Sequence, residues 1–415
     1  MKRTRQGVAG SEEERENAAP PVTMKTSGEV ADGKVEGALS GIRVLDLSRV
    51  LAGPLATQML ADLGADVVKV EAPWGDDTRG WGPPFVDLGD EQAAAYYIAC
   101  NRGKRSIAID ARSEKGRAEI ERLIAAADIV VENFRAGTLA KWNLAPADLI
   151  AKHPGLIVCS ITGFGQTGPR ADEAGYDVAL QGISGIMSVT GEAEGAPVKV
   201  GVAWIDVLTG LNASSAILAA LFHKERTGEG QTIDIALFDV ALAALVNQAQ
   251  NWLTTKVPPG RLGHAHPNIV PYQAFEASDG WFILATGNDR QYVSVCQVVA
   301  RDDLMLPHLL TNEGRLEHRD TVVTTLADIF ATKKVEHWID EFSAVGVPTA
   351  PIHDIAQAFA DPQAVARGAL WTLDNGIPSI ASPLRFMSAT PAKPSLAPPM
   401  LNADAESIRR DWLAD

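Results

Sequence analysis

Short apolar runs alternate with amphipathic stretches along the chain from Gly41 onward. Five runs have the length and the Val, Ile and Leu content of buried strands, at residues 43–47, 67–70, 106–109, 129–131 and 156–161. Between some of these runs, residues 54–63 and 114–126 place apolar side chains at helical spacing. This alternation predicts an α/β fold with a parallel sheet that carries helices on both faces.

The pattern changes near residue 206. A long helix is expected over residues 207–224, and the Gly-rich turn after it should end that helix. A strand at residues 232–236 then precedes a helix that reaches Asn251. The Pro-Pro-Gly sequence at residues 258–260 interrupts both kinds of pattern, so it marks a predicted domain boundary.

The part of the chain after this boundary predicts a smaller α+β unit. Residues 272–275 and 281–285 flank a Ser-Asp-Gly turn, which is typical of a β-hairpin. Helical stretches follow as far as residues 338–344, and residues 347–351 are expected to lead out of the unit. The Pro-rich residues 391–400 are expected to form an extended arm rather than a core element.

Composition narrows the class of protein. The 415 residues carry a formal net charge of −15, which argues against a general nucleic-acid binder, although a local basic pocket for an anion remains compatible with it. No apolar run reaches the length of a membrane span, and no apolar segment follows the basic first three residues, so we expect a cytoplasmic protein without a membrane partner. Cys100, Cys159 and Cys296 lack disulfide or metal spacing and are expected to be reduced and buried.

An acidic residue, Asp206, lies in an apolar stretch between Gly201 and Gly210. Because a carboxylate among Val, Ile, Trp and Leu loses hydration, Asp206 must cap a helix, join an ion pair or act on the wall of a pocket. Asp is a good N-cap and the helical pattern starts at the next residue, so the stretch alone favours the cap. The cap and a functional role do not exclude each other.

Two other patterns are weaker. Residues 163–168 match the G-x-G-x-x-G dinucleotide fingerprint by letter, but Pro169 follows and no amphipathic helix begins, so we expect a flexible loop near a ligand instead of a nicotinamide site. His264 and His266 have no acidic or Cys partner at ligand spacing, so no metal site is expected.

Basic residues cluster in one segment of the first half, at Arg102, Lys104, Arg105 and Arg112. An ordinary solvated surface is the simplest explanation of such a cluster. The predicted topology instead puts it at the carboxyl ends of parallel strands, where ligands of open α/β sheets bind. There the cations would anchor anionic groups by charge-assisted hydrogen bonds.

Several short blocks occur in a fixed order along the chain. They are LDLSRVLAGP at 45–54, LGADVVKVE at 63–71, TRGW at 78–81, NRGKRS at 101–106, VENFRAG at 131–137, GYD at 175–177, the Asp206 stretch, HPN at 266–268 and DG at 279–280. Together they resemble the class III coenzyme A transferases, the family of formyl-CoA transferase and carnitine CoA-transferase. The resemblance covers roughly residues 40 to 400.

The resemblance implies a Rossmann-like large domain, a smaller α+β domain and an interlocked, ring-like homodimer. Residues 1–39 are polar, charged and poor in aromatic residues, which predicts a disordered tail before the part that shows the resemblance. The implied parts are a CoA-binding large domain at 40–235 that is completed by about 365–415, a linker helix at 236–260, a small domain at 261–350 and a return segment at 351–415. Genuine threading is rare in proteins, so spacing rules alone could not predict the interlocked rings.

The resemblance also implies a set of functional residues. The family's catalytic aspartate falls on Asp206. The positions that match the family's CoA contacts are Leu51, Ala52, Ile109, Asp110, Ala111, Arg112, Asn133, Phe134, Arg135, Lys141, Glu173, Ala174, Gly175 and Tyr176. Trp81, Tyr176 and His266 are expected at the pocket for the acyl group. No metal or bound cofactor is implied, because coenzyme A and its thioesters are substrates.

The activity implied is transfer of CoA from an acyl-CoA to a free carboxylic acid, through an aspartyl mixed anhydride and an aspartyl-CoA thioester. With an ordinary pKa of about 3.9, Asp206 is expected to be ionised at neutral pH and to need no separate base. α-Methylacyl-CoA racemase shares the fold and the aspartate, but it has His at the position of Tyr176, and Tyr is a poor base at neutral pH. A CoA-binding protein without turnover is the third alternative.

The chain departs from the family member that is specialised for formyl and oxalyl groups. Leu51 replaces a Gln, Ala72 replaces a basic residue, and the tetraglycine loop of that member has no counterpart in the sequence. In this chain the loop at residues 263–268 is expected to lie near the active site, where that member has its tetraglycine loop. These differences disfavour oxalate as the acceptor and favour a dicarboxylate such as succinate, or another medium-sized acid.

Overall fold

Parallel strands form the main sheet of the structure, a computed structural model that describes residues 37–386 and 396–414. The strands are β1 (Arg43–Asp46), β2 (Asp66–Glu71), β3 (Phe85–Asp87), β4 (Gln92–Ala94), β5 (Lys104–Ala108), β6 (Ile129–Glu132), β7 (Ile157–Thr162), β8 (Thr232–Ala236), β9 (Tyr272–Ala277), β10 (Gly280–Ala285), β11 (Thr349–Pro351), β12 (Leu370–Thr372) and β13 (Pro378–Ile380).

The helices lie between and around these strands. They are α1 (Ala52–Asp62), α2 (Ala95–Ile98), α3 (Glu114–Ala125), α4 (Thr138–Lys141), α5 (Pro146–Lys152), α6 (Asp177–Ile183), α7 (Ile186–Val189), α8 (Trp204–Thr227), α9 (Leu237–Ala243), α10 (Val246–Thr255), α11 (Asp289–Val298), α12 (Asn312–Glu317), α13 (Arg319–Phe330), α14 (Val335–Ala344), α15 (Ile355–Ala360), α16 (Pro362–Ala366) and α17 (Ala405–Leu413). Short 3-10 turns cover Asp77–Gly80, Asp302–Met305 and Pro307–Leu309.

The main sheet has six parallel strands in the order β5-β2-β1-β6-β7-β8. Its strands are apolar on both faces, because Val44 on β1 is in register with Val67 and Ile129 on its two neighbours, and all three are buried. Helices α1 and α8 pack on one face, and α3 and α17 cover the other face. The predicted α/β fold and its six parallel strands are therefore confirmed.

The long helix α8 is the one described helix that is long and apolar enough to span a membrane by length and composition. Core helices of water-soluble proteins pass the same test, and α8 packs Ile205, Ala213, Ile217 and Leu221 into the core beside the sheet. The opposite side of α8 remains exposed and carries large apolar side chains, among them Phe222.

The second sheet has three strands in the order β11-β10-β9. Strands β9 and β10 form the predicted antiparallel hairpin, and helices α11, α13 and α14 pack beside it around Phe275, Phe282 and Phe330. This is a hydrophobic core of its own. All the described residues nevertheless fall in one compact unit, so the division into a large and a small domain stays a prediction.

Two elements in the second half differ from the prediction. The helix expected to run to Asn251 is two helices, α9 and α10, because Val246 has a φ of +40° that breaks the helical path. Residues 347–351 were expected only to lead out of the small unit. They include β11, in which Ala350 pairs with Ile283 on the edge of the hairpin.

The C-terminal segment returns to the main sheet at its edge strand. Asn402 and Asp404 accept hydrogen bonds from the backbone N–H groups of Ala108 and Ser106 on β5, so the segment covers an edge that would otherwise be unpaired. Residues 1–36 and 387–395 lie outside the described residues, and with them most of the predicted tail and half of the predicted arm. Leu39 is already buried, and its N–H donates to the carbonyl oxygen of Leu63.

Three members of the basic cluster are structural rather than ligand-binding. Arg102 binds Asp62 with two hydrogen bonds, Lys104 binds Asp46, and Arg105 binds both Asp66 and Asp411. These three cations lie at or before the amino end of β5, not at its carboxyl end. The prediction that they face the ligand is wrong, because buried charges need partners and acidic residues from distant segments supply them.

The pair of Lys104 and Asp46 is fully buried at 2.9 Å. Burial opposes ionisation of Asp46, but Lys104 and Lys69 outweigh it and hold the pKa of that carboxyl at about 2. Lys104 also donates to the carbonyl oxygen of Pro54 and to the side chain of Asn101, so the ammonium group has all three of its donors satisfied.

We expect Lys104→Met to lower the free energy of unfolding by about 3 kcal/mol, because it leaves the Asp46 carboxylate buried with weaker compensation. Urea unfolding at neutral pH, followed by circular dichroism, measures the loss. Lys115→Met on the exposed side of α3 is the matched control and should change the stability very little. Equal effects of the two substitutions would contradict a structural role for the buried pair.

Candidate active site

The order of the strands creates a crevice beside β1. From β1 the chain adds β2 and β5 on one side, and then β6, β7 and β8 on the other. The loops that follow β1 and β6 therefore diverge, which leaves an opening at the carboxyl ends of the strands. Two adjoining clefts occupy this opening, and Arg49 and Phe134 line both of them.

The first cleft has a volume of about 180 Å³. Its wall includes Trp74, Trp142 and the segment at residues 109–112 that follows β5. Arg112 donates to Asp110 and places its guanidinium 4.6 Å from the centre of the Trp74 ring. Arg112 is therefore the one member of the basic cluster that lies at a cleft, beside an aromatic face that is open to a flat ligand.

The second cleft has a volume of about 290 Å³ and holds most of the remaining predicted CoA contacts. The predicted residues on its wall are Leu51, Ala52, Asn133, Phe134, Arg135, Glu173, Ala174, Gly175, Tyr176 and Asp206. The structure thus brings together residues from the loops after β1 and β6, the loop before α6 and the start of α8. Gly163, which follows β7, also lies on this wall, and no helix begins between residues 163 and 176.

The carboxylate of Asp206 lies in the first turn of α8. The helix starts at Trp204 and its N-cap residue is Ala203, so the prediction that Asp206 caps the helix is wrong. The cap comes from another helix instead: Asp177 accepts hydrogen bonds from the N–H groups of Ile205 at 2.7 Å and of Asp206 at 3.3 Å. Within the described residues, the side chain of Asp206 accepts no hydrogen bond.

Burial, and after it the negative charge of Asp177, raise the pKa of Asp206 to about 7. The expectation that this carboxyl is fully ionised at neutral pH is therefore wrong. A residue in the first turn of a helix would ordinarily be stabilised as an anion by the free N–H groups and the helix dipole. Here those N–H groups are already occupied, so desolvation decides the pKa.

The loop after β1 is strained where it meets the second cleft. Val50 has a φ of +69°, a conformation that costs a β-branched residue about 1 to 3 kcal/mol. Asp76 accepts from the N–H of Val50, and the side chain of Asn133 accepts from and donates to the backbone of Arg49. These bonds offset the strain and fix the position of the neighbouring Leu51.

Asp76 joins this loop to the turn that carries Trp81. Its carboxylate accepts from Lys69, which is fully buried, and from both the N–H and the hydroxyl of Thr78. Lys69 also donates to the carbonyl oxygen of Ser48, in the loop after β1. One buried carboxylate therefore holds two separate walls of the crevice in a fixed relation.

Tyr96 is a residue of this region that the sequence did not reveal. Its ring lies 5.3 Å from that of Trp81, edge to face, and burial followed by the charge of Asp206 raises the pKa of its hydroxyl to about 12. Tyr96 is therefore a neutral hydrogen-bond donor close to Asp206. The sequence carried no signal for it, because the Tyr-Tyr pair at 96 and 97 looks like part of an ordinary core helix.

A buried carboxyl on β6, Glu132, was also missed. It accepts from the N–H of Phe134 and lies in register with Ser160 on β7, which in turn is in register with Asp234 on β8. Burial raises the pKa of Glu132 to about 7, with a smaller contribution from Asp234. Asp234 accepts from the N–H of Gln166, so this row of polar side chains anchors two of the loops that surround the second cleft.

Three predicted site residues, Trp81, Lys141 and His266, line neither cleft of this chain. Trp81 is exposed, and its ring packs against that of Tyr96. Lys141 ends α4 on the exposed surface and lines neither cleft. His266 packs its ring 5.2 Å from that of Tyr272, and its Nδ1 accepts from the N–H of Asn268. Burial and the charge of Arg319 lower the pKa of His266, so the ring is neutral. Among the described residues, no three His, Cys, Asp or Glu side chains are grouped as metal ligands.

Sheet order and cleft chemistry define the class of protein: an α/β protein with a crevice at the switch point of the sheet and a desolvated carboxylate on the wall of that crevice. The chain belongs to CoA-transferase family III, whose model matches residues 39–405. It is an acyl-CoA:carboxylate CoA-transferase.

Similar proteins have related names. The chain is 47% identical over 391 residues to the succinate–glutarate CoA-transferase of Agrobacterium fabrum, covering 90% of this chain and 96% of that protein. It is 40% identical over 385 residues to the human succinyl-CoA:glutarate CoA-transferase, covering 90% and 86%. A crystal structure of a CaiB/BaiF family protein from Brucella suis has a TM-score of 0.82 and 46% identity, covering 91% of this chain and 99% of that one.

We expect Asp206→Asn to stabilise the fold at pH 8 by about 1 to 2 kcal/mol, after discounting the pKa shift for partial exposure. The unfolded chain loses this proton near the ordinary value of 3.8, and the folded chain keeps it until about pH 7. Stability of the wild type therefore falls as the pH rises between these values, and the loss is complete above pH 7.

Thermal unfolding of the two proteins across this pH range measures the difference, which should be small near pH 4 and largest above pH 7. Asp340→Asn, on the exposed face of α14, is the control and should show no such trend. A difference that does not vary with pH would mean that Asp206 is not desolvated.

Proposed function

We propose that Asp206 is the nucleophile of the transfer reaction. The observation that carries this proposal is the position of its carboxylate, which lies half-buried on the wall of the second cleft and has no hydrogen-bond donor among the residues that the structure describes. A carboxylate that is poorly solvated and has a raised pKa is a better nucleophile than one that is hydrated or bound to N–H groups.

The reaction begins when the ionised carboxylate attacks the thioester carbonyl of the donor acyl-CoA. The carbon–sulfur bond breaks, CoA leaves as a thiolate, and the acyl group remains on Asp206 as a mixed anhydride. The thiolate then attacks the aspartyl carbonyl carbon, the donor acid leaves as a carboxylate, and an aspartyl-CoA thioester remains. No proton is gained or lost in either step.

The second half reverses these steps with the acceptor acid. Its carboxylate attacks the aspartyl-CoA thioester and expels the thiolate, which gives a new mixed anhydride. The thiolate attacks the acyl carbon of the acceptor, and Asp206 leaves as a carboxylate. Each intermediate is open to hydrolysis, so the cleft has to exclude water while the reaction proceeds.

The two clefts suit the two ends of the CoA substrate. Trp74 and Arg112 offer an aromatic face and a cation in the first cleft, while the reacting thioester belongs beside Asp206 in the second. Phe134 and Arg49 line the passage that joins them. The chain would therefore hold the substrate across the carboxyl edge of the sheet.

The acceptor we propose is a dicarboxylate of four or five carbons, such as succinate or glutarate. The names of the Agrobacterium and human relatives support this class of acid. The second cleft also carries Arg49 and Arg135, either of which can pair with a distal carboxylate, and the apolar Leu51 beside Ala52 leaves room for methylene groups.

We also propose that the working protein is an interlocked homodimer. Large apolar side chains are exposed on α8 and α10, among them Leu211, Leu218, Phe222, Val246 and Leu253. On α8 they follow one face, since residues 211, 218 and 222 are spaced by seven and four. A face of this kind on an otherwise acidic protein fits a second copy of the chain, which would also bring His266 and its loop to a neighbouring site.

We expect a panel of acyl-CoAs, mixed with the protein without an acceptor acid, to leave a CoA adduct on the peptide that contains Asp206. The adduct arises because the thiolate returns to the aspartyl carbonyl, and its mass is that of CoA less one water. Intact-protein and peptide mass spectrometry measure it. Succinyl-CoA and glutaryl-CoA should load the protein faster than oxalyl-CoA.

Asp206→Asn is the control for this experiment and should form no adduct. Exchange of the α-proton with solvent, without any adduct on the wild type, would replace the transferase mechanism with a racemase mechanism. Binding of CoA without either reaction would leave a protein that holds CoA but does not turn it over.

The homodimer is tested by light scattering after size-exclusion chromatography. We expect a mass of two chains that persists on dilution, because interlocked rings separate only when a chain unfolds. Phe222→Asp should reduce the yield of dimer, while Val345→Asp, at an exposed apolar position outside α8 and α10, should not. A wild-type protein with the mass of one chain would refute the proposal.

A further inference from the structure

The backbone N–H groups in the first turn of α8, on residues 204–207, all donate hydrogen bonds. The N–H of Trp204 donates to the carbonyl oxygen of Val202, and that of Val207 donates to Ala203. The two groups between them, on Ile205 and Asp206, both donate to one carboxylate oxygen of Asp177. No N–H group in this turn is left for the side chain of Asp206.

A second buried side chain, that of Gln181, holds Asp177 in place. The side-chain amide of Gln181, one turn along α6, donates to the second carboxylate oxygen of Asp177 at 2.6 Å. The amide oxygen of Gln181 accepts from the N–H of Val200 at 2.8 Å, in the segment that leads into α8. Both side chains are buried, and the bonds between them leave Asp177 one orientation.

We propose that Asp177 is a positioning residue for Asp206, and that its carboxylate takes the free N–H groups of α8 so that the nucleophile is left without them. This inference rests on the proposed role of Asp206 as nucleophile. A carboxylate in the first turn of a helix is normally bound by N–H groups and stabilised as an anion by the helix dipole, and both effects make it a weaker nucleophile. Asp177 neutralises that end of the helix with its own charge, and Asp206 stays reactive.

The charges around Asp206 support this account. Asp177 is the charged group that acts on Asp206, and it raises the pKa of that carboxyl in addition to the effect of burial. The other titratable groups near the cleft come from α2 and the surrounding loops, and they are Tyr96, Tyr176, Glu173, Arg49 and Arg135.

Exchanging the side chains of residues 177 and 181 tests the effect of the negative charge at position 177. The double substitution D177N/Q181E swaps the carboxylate and the amide between neighbouring positions. It keeps the net charge and the number of hydrogen bonds, because the amide now at position 177 can accept from the N–H of Ile205 and donate to the carboxylate now at position 181. That carboxylate can in turn accept from the N–H of Val200. The negative charge moves one side chain farther from Asp206.

We expect this exchange to shift the pH midpoint for adduct formation by succinyl-CoA, about 7 in the wild type, roughly one unit lower. The maximal loading rate should fall while the concentration of acyl-CoA at half-saturation stays unchanged, since the effect lies on the nucleophile. Asp177→Ala removes the cap and frees the N–H groups of Ile205 and Asp206 for the carboxylate of Asp206, so it should lower both the thermal midpoint and the pH midpoint for loading. The exchange variant should keep the thermal midpoint of the wild type.

A second readout separates this inference from the proposed function. The carboxyl ¹³C signal of Asp206, assigned by its loss in Asp206→Asn, reports the titration of that group without any turnover. A shifted titration in the exchange variant supports the inference even if no adduct forms, and then only the proposed nucleophile is overturned. An unshifted titration and an unshifted loading profile would overturn the inference and leave Asp177 as a helix cap alone.

Discussion

A carboxylate at the amino end of a helix that receives none of the hydrogen bonds of that helix is the constraint on which this site depends. Isolated helix ends attract anions, so Asp206 would bind the backbone of α8 if that backbone were free. The fold prevents this by bringing α6 against the start of α8, with Asp177 already bonded to both available N–H groups. Desolvation of Asp206 then has no local compensation, and its chemistry follows from that.

The order of the strands in the main sheet creates the crevice in which Asp206 lies. Because strand order reverses beside β1, the loops after β1 and β6 separate and leave a crevice in which α8 can present its first turn. The strained backbone at Val50 lies on this crevice and is held by Asp76, which also anchors the turn before Trp81. These bonds hold the walls of the crevice in fixed positions.

Local pattern was sufficient for the strands of the main sheet, whereas most residues of the cleft were predicted only from the family resemblance. Short apolar runs locate β1, β2, β5, β6, β7 and β8 because strands buried on both faces have few sequences available to them. The family resemblance gathered the residues of the loops after β1, β5 and β6. These loops converge for a topological reason, so their side chains meet although they are far apart in sequence.

What the sequence could not provide were pairings between distant residues. Arg102 and Lys104 look like ligands for an anion until the fold brings Asp62 and Asp46 against them. The cap on α8 comes from a residue that lies 28 positions earlier, and the raised pKa of Asp206 depends on that same residue. Tyr96 gave no signal, because its importance is a matter of position and not of residue type.

The return of the C-terminal segment to β5 sets an order of events during synthesis. Arg79 binds Glu71, Tyr97 and the carbonyl oxygen of Pro399, so the turn that leads to Trp81 is tied to a residue 320 positions later. A nascent chain that has already made all six strands of the main sheet still lacks this tie and still exposes its edge strand. The turn that leads to Trp81 therefore gains its last contact only after the ribosome has synthesised almost the whole chain.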